Sequence, residues 1–300
     1  MLENLRRKSL TKTYNDLKHQ VHFESGLARY ENHVEIDICT QKLSKKKPTK
    51  PIFPRVIDTI SLESFSYFKL GMIYCPSGSF TMGHEDQSDN KPRMVIIDRS
   101  FLLGETEITQ ELYEKVMGNN PSCFQNRPQN PVEDVSWVDA IKFCNKLSEL
   151  QGLDECYTKN PKSLDYGWDY DSSKNGYRLP TEKEWEYAAK AGTQNLWAGT
   201  SDESKLGDYA WFDENSNYST EPIARKLPNE WGFYDMSGNV WEWCWDKYNP
   251  KGDADAYRVR RGGSWYGGNA SDLRSANRNN YSPGRRSNYL GFRVCRSIVN

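Results

Sequence analysis

From about residue 195 onward the chain has almost no periodicity, only short aromatic segments divided by Gly, Asn, Asp and Pro. A region lacking both the 3.6-residue and the 2-residue repeat is not made mainly of amphipathic helices or long strands. It is either disordered or an ordered assembly of loops. Aromatic content decides between these. With 10 Trp, 18 Tyr and 13% aromatic residues, the chain is far from the aromatic-poor composition of disordered proteins, although its mean hydropathy is only −0.87. Long ordered loops inside a compact domain usually mark function.

Upstream, regular signals are stronger. GMIYCPSGSFTMG predicts a strand, a turn through Pro76–Gly78 and a second strand ending at Gly83. MVIIDRSFLLGETEIT adds two apolar, β-branched runs. Thr109 is placed to cap ELYEKVMG, which stops at Gly118, and Ser136 to cap WVDAIKFCNKLSELQG. In the latter Ile141, Cys144, Leu147 and Leu150 recur at helical spacing, and Gly152 ends it. Pro180-Thr181-Glu182-Lys183-Glu184 is a capping-box sequence. The expected class is α+β, with few helices on small antiparallel sheets and long ordered loops. Residues 1–41 form an N-terminal extension and 42–69 a basic, proline-containing linker and lead-in, leaving 70–300 as the main domain.

A net charge of −1 provides no general attraction to nucleic acid. No stretch is long and apolar enough to span a bilayer, and the N-terminus has no apolar core of a signal peptide. The 7 cysteines (39, 75, 123, 144, 156, 244, 295) have no CxxC or zinc spacing and read as small buried residues, with a Cys123–Cys156 disulfide the less favoured alternative.

Four phrases occur in order: GSFTMG (78–83), YRLPTEKEWEYAAKAG (177–192), WGFYDMSGNVWEW (231–243) and RRGGSW…LGFRV (260–294). Together they resemble the formylglycine-generating enzyme, or sulfatase-modifying factor, family over roughly residues 70–297. The resemblance implies a C-type-lectin-like fold. Read physically, Trp241 and Trp243 share one face of an extended segment, as core, while Glu242 faces the other way. A carboxylate there needs a partner. The resemblance implies a structural calcium held by Ser237, Gly238 and Val240 through the backbone and by Glu242 through its side chain, with oxygen ligands that suit a hard cation. The alternative is that Glu242 accepts backbone or Arg hydrogen bonds. The family's second calcium site wants an Asn near Ala210–Trp211, where this chain has Ala210.

Enzymes of the family oxidise a substrate cysteine with two cysteines just beyond the GGS motif. The matching positions here are Gly267 and Asp272, and without thiolates that chemistry and its copper site cannot form. Iron is not expected either, because all four His (19, 22, 33, 84) lie outside the C-terminal region. No catalytic residue is therefore assigned. A degenerate or unorthodox oxidoreductase of the same family is the alternative.

Residues 266–289 read YGGNASDLRSANRNNYSPGRRSNY, rich in Asn, Ser, Gly, Tyr and Arg and lacking Lys, Glu, Gln, Met and Trp. Randomising the adenines of an AAC codon yields the residues present and none of the five missing. The segment thus resembles the variable region, about 260–294, of diversity-generating retroelement variable proteins. That resemblance implies ligand-facing variable positions at Tyr266, Gly267, Gly268, Asn269, Ser271, Asp272, Asn279, Asn280, Tyr281, Gly284, Arg285, Ser287, Asn288 and Tyr289. Leu273, Ala276, Arg278 and Pro283 would be fixed framework. Tyr, Ser, Gly and Asn suit a paratope, combining rigid amphipathic area with adaptable hydrogen bonding. The expectation is a non-catalytic, monomeric, receptor-like binder at the cell surface or outside the cell. Its partner would be a macromolecule, a protein or cell-surface component, and not nucleic acid.

Overall fold

In the computed structural model, which describes residues 35–37, 54–61, 67–249, 257–267 and 269–298, each helix start read from the sequence is closed by its own side chain. Thr109 Oγ1 accepts the Leu112 N–H at 3.2 Å and opens helix α1, Gln110–Met117, which ends at left-handed Gly118. Ser136 and Asp139 form a reciprocal capping box on α2, Trp137–Leu150, and Thr181 and Glu184 do the same on α3, Glu182–Lys190. Such caps are each worth about 1 kcal/mol. A single turn, α4, spans Leu206–Tyr209. Ile141, Cys144 and Leu147 are buried on α2, as their spacing predicts.

The strands are β1 Glu35–Asp37, β2 Arg55–Ser61, β3 Tyr67–Cys75, β4 Gly78–Met82, β5 Arg93–Ile97, β6 Phe101–Gly104, β7 Tyr157–Lys159, β8 Trp168–Tyr170, β9 Tyr177–Arg178, β10 Trp241–Lys247, β11 Arg258–Arg261, β12 Arg278–Tyr281, β13 Leu290–Gly291 and β14 Cys295–Ser297. Among the described residues they build a six-stranded antiparallel sheet, β1-β2-β3-β6-β14-β9, and a four-stranded sheet, β12-β11-β10-β13, with two short hairpins. The β10–β13 pair is parallel, an exception to the antiparallel expectation. The chain has the expected α+β, C-type-lectin-like architecture.

Most of the expected extension and linker lies outside the described residues. Where described, these segments are strands: β2 pairs with β3 from Arg55↔Ile73 to Ser61↔Tyr67, and β1 pairs with β2. The lead-in is thus part of the large sheet, and the domain is under way well before residue 70.

Two apolar cores flank β10. Trp241 and Trp243 share a core with Leu112 and Tyr113 of α1, with Ile141, Phe143 and Leu147 of α2, and with Phe292. On the other side Trp185, Ala188 and Ala189 of α3 pack with Phe233, Met236 and Val259. Buried ion pairs tie α3 to the small sheet. Glu186 meets Arg261 of β11, and Glu182 takes Arg278 of β12 in two bonds of 2.7 and 2.8 Å. Glu186 of the RLPTEKEWEY phrase and Arg261 of the RRGGSW phrase therefore meet as a buried ion pair.

Candidate ligand-binding face

The face begins where β11 ends. Gly262 and Gly263 have φ of 95° and 77°, a left-handed conformation that favours glycine. A Cβ on Gly263 would also run into the Leu273 side chain. This turn delivers Trp265, which is buried. Its backbone N–H donates to Asn239 O at 2.8 Å, and its own carbonyl accepts the Ser216 hydroxyl at 3.1 Å. Its indole N–H donates to Asn288 O at 2.9 Å, and its ring meets Phe124 edge-on at 5.4 Å.

The rest of the segment is held largely in the same manner, by its main chain, with side-chain ion pairs from Arg274, Arg278 and Arg286 to Asp86, Glu182 and Asp139. Trp197 Nε1 donates to Ala270 O, Ser237 Oγ to Leu273 O, and Asn90 Nδ2 to Ala276 O, at 2.6, 2.9 and 2.8 Å. Arg261 donates to the carbonyls of Ser275, Ala276 and Asn277. The backbone N–H groups of Asp134, Trp137 and Trp241 bind the carbonyls of Ser287, Pro283 and Tyr289 at 2.9 to 3.1 Å. Leu273, Ala276 and Pro283 are buried beneath, and Arg278 is fixed on Glu182.

Outward-facing side chains make one aromatic patch. Tyr266, 56% exposed, stacks on Tyr289 with ring centroids 5.6 Å apart and 15° between planes. The Tyr289 and Tyr281 hydroxyls are 2.5 Å apart, and the Arg285 guanidinium lies 5.6 Å from the Tyr281 ring. Burial and the bond to Tyr289 raise the Tyr281 phenol. Burial acts the same way on Tyr289, but hydrogen bonds from Tyr281 and Ser287 and the charge of Arg260 outweigh it and bring that phenol below its ordinary value. Through Phe124 the patch continues to Arg127, whose guanidinium is 5.6 Å from that ring. Arg127 lines an open cavity of about 580 Å³ with Asn130, Ser219, Glu221 and Arg225.

The expected positions divide. Tyr266, Gly267, Asn269, Ser271, Gly284 and Arg285 are exposed, and Asp272, Asn279, Tyr281, Ser287, Asn288 and Tyr289 half-buried. Gly268 lies outside the described residues. Asn280 is also half-buried, but its side chain bonds Tyr248, on the side of β12 occupied by Arg278. It is thereby turned from the patch formed by Tyr281. A one-residue step along a strand reverses direction, and this phase was not legible without the register.

Two residues of the neighbourhood have no counterpart in the sequence expectations. Arg260 sits beneath the tyrosines, its guanidinium 3.9 Å from the Tyr281 ring and 4.5 Å from Trp241. Glu133, fully buried, accepts the Phe124 N–H at 2.8 Å behind Trp265, while its Oε2 has no partner. Burial pushes the Glu133 carboxyl up to about 7 against hydrogen bonds that lower it. A lone Glu in PVEDVSW gives no sequence signal of this.

The expected calcium ligands are together in sequence, but the donor set does not fit a dication with Glu242 as its carboxylate. Glu242 is fully buried and bound by Arg293 through two contacts of 2.7 Å, and Oε2 also accepts Trp185 Nε1 at 2.8 Å. The positive charge at this turn comes from the guanidinium, the alternative weighed for Glu242. Among the described residues no three His, Cys, Asp or Glu converge at metal distance. The orphaned oxygen nearby belongs to Asp235, buried three residues before Gly238, whose Oδ1 has no partner. Burial raises its carboxyl to about 6.

Cys75, Cys144, Cys156, Cys244 and Cys295 are buried and Cys123 exposed, all as free thiols. The Cys123–Cys156 alternative is thus not formed. Burial raises the Cys295 thiol well above its ordinary value, which disfavours the thiolate.

The model of the sulfatase-modifying factor enzyme 1-like domain matches residues 69–298. Among solved structures, Treponema denticola variable protein 1 is similar, with 38% identity and a TM-score of 0.72 over 81% of this chain and 99% of that one. The chaperone protein LppX of Paenibacillus barcinonensis is 34% identical over 223 residues, 65% of this chain and 78% of that protein. The inactive C-alpha-formylglycine-generating enzyme 2 of Mus musculus is 33% identical over 196 residues, 59% of this chain and 52% of that protein.

Proposed function

The chain belongs to the family of the sulfatase-modifying factor enzyme 1-like domain, and from that premise we propose that it is a non-catalytic binder whose ligand-facing residues at 266–289 are diversified by a retroelement. One observation carries the reading. The segment is secured to the domain by its own carbonyl oxygens, which accept bonds from fixed groups such as Trp197, Ser237, Arg261 and Trp265. Side chains at the proposed ligand-facing positions can be exchanged without removing these bonds, the property a loop on a rigid scaffold needs. The similarity to a variable protein supports the same reading. So do Gly267 and Asp272, which put no sulfur at the family's thiol positions.

The ligand class is a macromolecular surface, a protein or other cell-surface component. An exposed Tyr266–Tyr289 stack flanked by Arg285 offers the rigid aromatic area and adaptable donors that such contacts use. A cell-surface or extracellular site of action follows from that role. Among the described residues no helix is long and apolar enough to cross a membrane.

Two measurements test the proposal. The gene's neighbourhood should hold a template repeat that matches codons 260–294 except at adenines, beside a reverse transcriptase gene. Strains whose codons 266–289 stay constant while synonymous sites drift would end the diversification reading. For binding, a cell-surface extract passed over the immobilised protein should leave a partner whose retention is lost in Tyr266→Ser. Retention unaffected by Tyr266→Ser and Tyr289→Ser together would place recognition elsewhere.

A further inference from the structure

Arg260 stands apart from the other buried arginines. Arg178, Arg258, Arg261 and Arg293 each face a carboxylate: Glu184, Asp165, Glu186 and Glu242. Arg260 is 7% exposed and among the described residues makes no ion pair, and its Nε and Nη1 have no hydrogen-bond partner. Its surroundings are the Trp241, Tyr281 and Tyr289 rings, at 4.5, 3.9 and 5.8 Å from the guanidinium carbon. Aromatic faces offset part of the cost of burying a cation, and the Tyr281 and Tyr289 side chains also hydrogen-bond the guanidinium, but Nε and Nη1 remain unmet, and unmet buried donors are expensive. An aliphatic side chain would fill this space without that cost.

The position is also central. Arg260 lies opposite Asn279 in the β11–β12 register. It touches Tyr281 and Tyr289, and its charge acts on Asp272 without forming an ion pair. Residues from both halves of the 266–289 segment therefore surround it.

We propose that Arg260 is a further ligand-contacting residue of this face, recognising a carboxylate on the partner, an Asp or Glu side chain or a chain terminus. The inference rests on the binding role proposed above. The two idle donors form charge-assisted hydrogen bonds to the incoming oxygens, the strong class of such bonds. Tyr281 and Tyr289 pack their rings on the guanidinium and hydrogen-bond it, so a smaller residue at either position widens access. In this way one fixed cation sets the ligand's charge while its neighbours set its shape.

The test uses acetate as the probe and the full chain labelled with 15N-arginine. The Arg260 Nε–H resonance is identified by its loss in Arg260→Lys, whose melting temperature is checked to confirm folding. Addition of sodium acetate should move that resonance saturably. In Tyr281→Ser the apparent affinity should be about tenfold tighter, the size expected for uncovering one charged hydrogen bond. The absence of a saturable shift in both proteins, or an equal shift with sodium chloride, overturns the proposal. If acetate fails while a partner still binds through Tyr266, only this inference falls and the binding role stands.

Discussion

Trp265 donates its indole N–H to the main-chain oxygen of Asn288, 2.9 Å away, so a buried residue at one end of the segment grips the other end. The bond uses an atom that no substitution at 288 removes. Gly284→Ser, Arg285→Ala and Asn288→Ala should each change stability by no more than about 0.5 kcal/mol, the usual range for surface sites. Trp265→Phe should cost about 1 kcal/mol or more, through a lost bond and a stranded carbonyl. Urea denaturation decides. Loop variants as damaging as Trp265→Phe would mean that side chains, not the backbone, hold the face.

Glu133 makes stability fall with rising pH. Its folded carboxyl titrates near 7, against an ordinary value of 4.5, because burial disfavours the anion. Below about 4.5 both states hold the proton and the group has no effect. Between 4.5 and 7 the unfolded chain ionises while the folded chain keeps its proton, so stability drops across that window and is level above it. Glu133→Gln should flatten this part of a melting-temperature profile from pH 4 to 8. A profile unchanged by the substitution would show that Glu133 is not the titrating group.

Glu242 is bonded to Arg293 through both carboxylate oxygens. Removing one partner of such a buried pair typically costs about 3–5 kcal/mol. Glu242→Gln should show a loss of that order, equal in EGTA and in calcium. A loss that develops only when calcium is supplied would restore Glu242 as a metal ligand. In that comparison Asp235→Asn, which replaces the orphaned oxygen, reports on a cation held without Glu242.

The family's oxidation of a substrate cysteine is not expected of this chain. With Gly267 and Asp272 at the thiol positions and Cys295 buried in β14, neither sulfur that this chemistry uses is in place. Incubation of a cysteine-containing sulfatase peptide with the protein, copper and oxygen should leave the cysteine unchanged by mass spectrometry. Formylglycine in the product would favour the oxidoreductase alternative.

Local chemistry was readable wherever a few adjacent residues settle the outcome. The caps at Thr109, Ser136 and Thr181 are of this kind, because N-cap bonds close within three residues. So is the opposition of Trp241 and Trp243 to Glu242, which strand alternation dictates. The lead-in strand Arg55–Ser61 was less legible because it follows a basic, proline-containing run and finds its partner in β3. Glu242's partner was harder still, since Arg293 is 51 residues away and only the folded sheet brings the two charges together.

The face between Trp265 and Leu290 divides along the same line. The sequence by itself determined the family pattern, the missing thiols and a segment composed of the residues that AAC codons can reach, since these are properties of residue order alone. Only the tertiary structure decided that this segment hangs from its carbonyls, that Asn280 turns away, and that Arg260 lies beneath the tyrosines with two donors unmet. These depend on register and on contacts between distant parts of the chain. Hydrogen bonds and burial are set by where atoms meet in space, and residues far apart in sequence meet only after the sheets and helices have packed.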